Sequence, residues 1–79
     1  MTDAFPKLLK EHATPRQPAT APGAYVLRQM RENEWATHWR NDEAGGFCWG
    51  HYSDSLAEAE EDFAQRVSEW ERRYGKVQA

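Results

Sequence analysis

From Ser53 onward the apolar positions recur at steps of three and four: Leu56, Ala59, Phe63, Val67, Trp70 and Tyr74. That spacing follows the helical repeat and predicts one amphipathic helix of about five turns. Ser55, followed three residues later by Glu58, reads as a capping box at its start. Acids fill its first half, Arg72, Arg73 and Lys76 close it, and Gly75 is a stop signal, as the helix dipole and C-cap preferences require.

Upstream the period is two. In EWATHWR, residues 34–40, Trp35, Thr37 and Trp39 fall on one face, and Ala36, His38 and Arg40 on the other. In GGFCWGHY, residues 45–52, Phe47, Trp49 and His51 share one face, and Cys48, Gly50 and Tyr52 the other. AYVLRQMR, residues 24–31, predicts a third strand. Its register is open: a two-residue turn at Glu32-Asn33 directs Val26 and Met30 to the core, and a three-residue turn directs Tyr25 and Leu27 there. Asn41 to Gly45 supply the second turn. Residues 1–12 predict a short helical turn carrying Phe5, Leu8 and Leu9, and ATPRQPATAPGA, residues 13–24, a proline-rich linker. The expected fold is α+β: a three-stranded antiparallel meander packed on one C-terminal amphipathic helix (βββα), with Trp35, Trp39, Phe47 and Trp49 facing the helix. The expected organisation is a flexible tail and linker over residues 1–23, the domain over 24–75 and a C-terminal tail over 76–79.

Seventy-nine residues make one domain with a thin core, built from few but large aromatic side chains. No apolar run approaches a membrane span, and the first residues lack the pattern of a signal peptide. A single cysteine, Cys48, excludes an internal disulfide, so the expected compartment is a reducing cytoplasm. The net charge of −3 is concentrated in residues 53–79, which hold seven acids against four bases. Such a chain matches a basic protein surface better than a phosphate backbone. The expected partner is therefore a protein with a basic surface, with no direct nucleic-acid contact and no membrane.

Cys48 and His51 have metal-ligand spacing, but strand alternation sends them to opposite faces. His38 and Cys48 on one face give two ligands where structural zinc needs four. The same pair lacks an oxyanion donor set, so neither metal, cofactor nor catalytic residue is expected. Gly45-Gly46 feed a strand rather than a helix N-terminus, which excludes a phosphate cradle. Two surfaces remain. The first is acidic: Asp54, Glu58, Glu61, Asp62 and Glu69 along the helix, extended by Asp42 and Glu43 in the second turn. An ordinary solvated helix face carries the same pattern. The second is the sheet face away from the helix, where His38, Arg40 and Tyr52 would support self-association as a homodimer.

The string EWATHWRNDEAGGFCWGHY, with the helix EAEEDFAQRV after it, resembles short uncharacterised proteins of phages and prophages of high-GC bacteria. The likeness covers about residues 25–70 and rests on Trp35, His38, Gly46, Phe47, Gly50, His51, Tyr52, Asp62 and Phe63. In character the chain also resembles anti-CRISPR proteins: tiny, single-domain, acidic and without catalytic residues. The resemblance implies a non-enzymatic inhibitor that binds a multisubunit type I CRISPR surveillance complex, subtype I-C among the candidates, and blocks recognition of target DNA sterically and electrostatically. The alternative is a small self-associating phage or host accessory protein.

Overall fold

A computed structural model describes residues 5–74. Four strands form one antiparallel sheet in the order β1-β2-β3-β4: β1 Lys7–Thr14, β2 Gly23–Arg31, β3 Glu34–Asn41 and β4 Phe47–Ser53. One helix, α1, follows over Leu56–Arg73 and packs across β2, β3 and β4. The fold is α+β, as the periodicity predicts, with one strand more than expected.

The added strand lies in the segment read as a helical turn and flexible tail. KLLKEHAT pairs along β2 from Lys7↔Gln29 to Thr14↔Gly23, with a bulge between Leu8 and Lys10. It lies in the plane of the sheet, not across its open face. Its end is anchored: the buried Trp39 indole Nε1–H donates to Thr14 Oγ1 at 3.0 Å. The proline-rich stretch is a short connection closed by paired backbone bonds between Gln17 and Thr20. The sheet thus takes in residues assigned to the tail; residues 1–4 and the expected C-terminal tail, 76–79, lie outside the described residues, as does Gly75.

The first-strand register resolves to Tyr25 and Leu27 on the helix side. The turn has two residues, with Arg31 opposite Glu34, but Met30 is an extra residue in a bulge between Gln29 and Arg31. That insertion reverses the parity a plain two-residue turn would give. A second bulge, between Thr37 and Trp39 in the β3–β4 ladder, does the same to β4. Trp49 takes φ 55°, a left-handed conformation that bulky residues rarely adopt. His51 stays opposite Thr37 on the helix side, but Cys48 now faces Trp39 and Phe47 faces Arg40. Phe47 therefore lies on the open face, under the Arg28 guanidinium at 4.0 Å and beside His38, and does not meet the helix. The expected sharing of a face by His38 and Cys48 is lost for the same reason.

Leu27, Ala36, Val26, Ala24, Trp39 and Ala59 form the buried apolar core. Gly23 permits the close approach of β2 and β3, since a Cβ there would meet the Arg40 carbonyl oxygen at 2.1 Å. Asn41 Oδ1 accepts from the amides of Glu43 and Ala44, and Gly45 and Gly46 complete the turn at φ 84° and 87°. One half of the predicted capping box forms, with the Glu58 amide donating to Ser55 Oγ; Ser53 intervenes in the other half. The Glu58 carboxylate accepts from Ser53 Oγ, and Ser53 Oγ in turn accepts from the Ser55 amide. No described helix is long and apolar enough to cross a membrane.

Candidate functional site

Thr37 explains the centre of the molecule. A hydroxyl between Trp35 and Trp39 on the helix side of β3 must find a partner once α1 covers it. It donates to Asp62 Oδ2 at 2.5 Å. The same carboxylate lies 3.1 Å from His51 Nδ1 and 3.4 Å from Arg66 Nε. Arg66, one helical turn on, also donates through Nη2 to the Trp49 carbonyl oxygen, tying the bulge to the helix. Burial alone would push the Asp62 carboxyl up. The hydrogen bonds from Thr37 and His51, with the charges of His51 and Arg66, outweigh it and hold the group below the usual carboxylate value.

Asp62 thus does not project from the solvent face of the helix, where the sequence reading puts it. It stands between two depressions. On one side is a shallow hollow of about 530 Å³, where Asp54, Glu58 and Asp62 converge beside Tyr52. Asp54 and Glu58 are exposed, and Tyr52 is 60% exposed. Glu61 lies one turn along the helix from Glu58 and is exposed. Neither Asp54 nor Glu61 has a hydrogen bond or ion pair among the described residues.

The remaining acids are placed differently. Asp42 is bound to Arg40 Nε at 2.6 Å, and Glu43 pairs with Arg16. The Arg40 bond holds the Asp42 carboxyl below its ordinary value. Their charges are met within the chain, away from the hollow. Glu69 lies near the other end of α1, accepting from Gln65 Nε2 at 3.4 Å. Of the seven acids picked from sequence, the structure brings Asp54, Glu58 and Asp62 together with Glu61 adjacent, and separates Asp42, Glu43 and Glu69.

The open face holds the three self-association candidates. His38 is 5% exposed, with Nε2 3.3 Å from the Tyr52 hydroxyl and Nδ1 buried without a partner. Burial first, then the charges of Arg28, Arg66 and His51, lower its pKa, favouring neutral imidazole. Arg40 is clamped between Glu11 at 2.6 Å and Asp42, and those hydrogen bonds raise its pKa. Only Tyr52 of the three presents a large accessible surface.

On the other side of Asp62, a groove of about 440 Å³ runs between the β4 bulge and the last turns of α1. His51 and Asp62 line both depressions. Sequence reading did not find the groove, because it treats Trp49 and Trp70 as core. The chain matches no family model, no curated protein and no solved structure.

Proposed function

We propose that this chain is a non-enzymatic protein-binding inhibitor of the anti-CRISPR type, and that its contact surface is the acidic hollow at the start of α1. The observation that supports this reading is the placement of the exposed carboxylates of Asp54 and Glu58 in one hollow beside the exposed ring of Tyr52, with Glu61 on the next turn; Asp62 lines the same hollow, its charge already met by His51 and Arg66. An exposed aromatic side chain sharing a hollow with acids suits a basic protein surface: the ring supplies desolvated contact area and the carboxylates steer and orient the encounter. A lysine- or arginine-lined groove that reads DNA phosphates has the complementary charge. In this reading the hollow occupies such a groove on a type I surveillance complex, subtype I-C among the candidates, and target DNA is excluded. Asp42, Glu43 and Glu69 take no direct part.

The test is retention of purified type I surveillance complex on immobilised protein, washed at low and high salt. Stoichiometric retention at low salt that falls at high salt supports the reading; equal retention at both removes its electrostatic basis, and none removes the target. A second reading, self-association through the open sheet face, draws on the exposure of Phe47 (45%) and Tyr52 (60%) on one side of β4. It requires a dimer in sedimentation that Tyr52→Lys dissociates. A monomer at high concentration sinks it.

A further inference from the structure

Trp49 is doubly out of place. Its backbone is left-handed at φ 55°, and its side chain is 65% exposed. Strain at a bulky residue persists only where the surrounding structure fixes it, and it concentrates at functional positions. Here the Arg66 bond to the Trp49 carbonyl fixes it. The indole packs at 5.4 Å on Trp39, tilted by 31°, which leaves much of the ring open to the groove. Across the groove stands a second aromatic pair, Trp70 and Tyr74, 5.6 Å apart.

The polar groups of the groove decide what would sit between these rings. Asp62 is engaged by Thr37, His51 and Arg66, while Glu69 accepts only from the neutral Gln65 side chain, at 3.4 Å, and keeps its charge. Arg66, with a side chain only 10% exposed, is paired with Asp62 and bonded to the Trp49 carbonyl oxygen, and its buried Nη1 has no acceptor. The cation of the groove left without an ion pair lies at the end of the helix. Arg73, exposed at the end of the helix, has no ion pair among the described residues. At about 440 Å³ the groove is near the small end of ligand sites and accommodates one ring system with its substituent, not a polymer.

We infer that this groove binds a small planar aromatic anion, stacked on Trp49 with its negative group directed to Arg73. A nucleoside monophosphate and an aromatic carboxylate both carry that chemistry. The inference goes beyond the protein-binding reading and does not depend on it, since Asp54, Glu58 and Tyr52 line the hollow and not the groove.

Titration of the full chain with AMP, indole-3-acetate, adenosine and inorganic phosphate, followed through the tryptophan indole N–H signals in ¹H–¹⁵N spectra, tests it. Saturable shifts of Trp49 and Trp70 are expected with AMP or with indole-3-acetate, and which of the two acts assigns the source. Adenosine should bind several-fold more weakly than AMP, and phosphate alone should leave the indoles unmoved. Trp49→Ala should weaken binding about tenfold, the range of single-ring stacking. Trp49→Phe, which keeps a ring, should retain most of it. Arg73→Gln should weaken the anions and leave adenosine unchanged. No saturable shift with either anion at millimolar concentration, or unchanged affinity in Trp49→Ala with its dispersion intact, overturns the assignment.

Discussion

Replacing Thr14 by Val changes one buried atom and tests whether β1 is integral to the domain. Thr14 is 1% exposed, and its hydroxyl is the acceptor for the indole N–H of Trp39, itself 5% exposed. Valine keeps the shape and removes the acceptor. Orphaning a buried donor costs about 1–3 kcal/mol. Exchanging a buried hydroxyl for a methyl returns roughly 0.8 kcal/mol of transfer free energy. Taking about 2 kcal/mol for the orphaned donor, the net expectation is a loss of about 1 kcal/mol, which for a domain of this size lowers Tm by roughly 4–8 °C. Guanidinium unfolding, read by tryptophan fluorescence and far-UV circular dichroism, measures it. In a Trp39→Phe background the donor is gone, so Thr14→Val should cost far less, and the cycle should return a coupling of about 1 kcal/mol. A single-variant cost within about 0.5 kcal/mol of zero, or the same cost in both backgrounds, would refute the anchoring of β1 and restore it to a dispensable tail.

Stability should fall with acid in two windows. The native fold holds His38 below its ordinary value of 6.5, so its contribution is complete above that pH and is lost as pH falls from 6.5 towards the lowered native value; His38→Gln should flatten this limb of a pH series of denaturation midpoints. Asp62 is held below its ordinary 3.8, so its contribution is present above that value and is lost as pH falls through the native one; Asp62→Asn should shrink this lower limb, to which Asp42 also contributes, and leave the upper. Gly50→Ala places a Cβ 2.8 Å from His38 Nε2 and must push the imidazole off Tyr52, at about 1–3 kcal/mol in the same unfolding assay. Gly23→Ala meets the Arg40 carbonyl oxygen at 2.1 Å, where backbone cannot yield, and should leave no cooperative unfolding transition.

The helix was legible because two independent signals agree: the Ser55–Glu58 cap and the three-to-four spacing of its apolar residues. β3 was legible because Trp35, Thr37 and Trp39 alternate without interruption. β1 was not. An edge strand pairs on one side only, and KLLKEHAT is mostly exposed, so its residues carry little burial pattern. β4 misled because a bulge inverts alternation from inside the strand. Gly50, next to Trp49, was the available signal, since glycine within a strand often marks a bulge. Asp62 misled for a related reason. Counting helix positions gave it to solvent, whereas the buried hydroxyl of Thr37 draws it inward. A polar residue midway along an aromatic strand face was the cue that some helix residue had to answer it. The pairing of the second-turn acids was not legible because Arg40 and Arg16, remote in sequence from one another, converge on them.

The acidic hollow is the surface proposed to meet a basic partner. Its most direct test is the affinity of the triple variant Asp54→Asn, Glu58→Gln, Glu61→Gln for a purified type I surveillance complex, with competition by target DNA. These three substitutions spare Asp62 and keep a residue suited to the capping box at 58. Three exposed ion pairs at about 0.5 kcal/mol each amount to roughly a tenfold loss of affinity. That loss is expected at low salt, with DNA binding by the complex restored and the variant's unfolding midpoint near that of the parent chain. Affinity and DNA exclusion unchanged in a folded variant would contradict it.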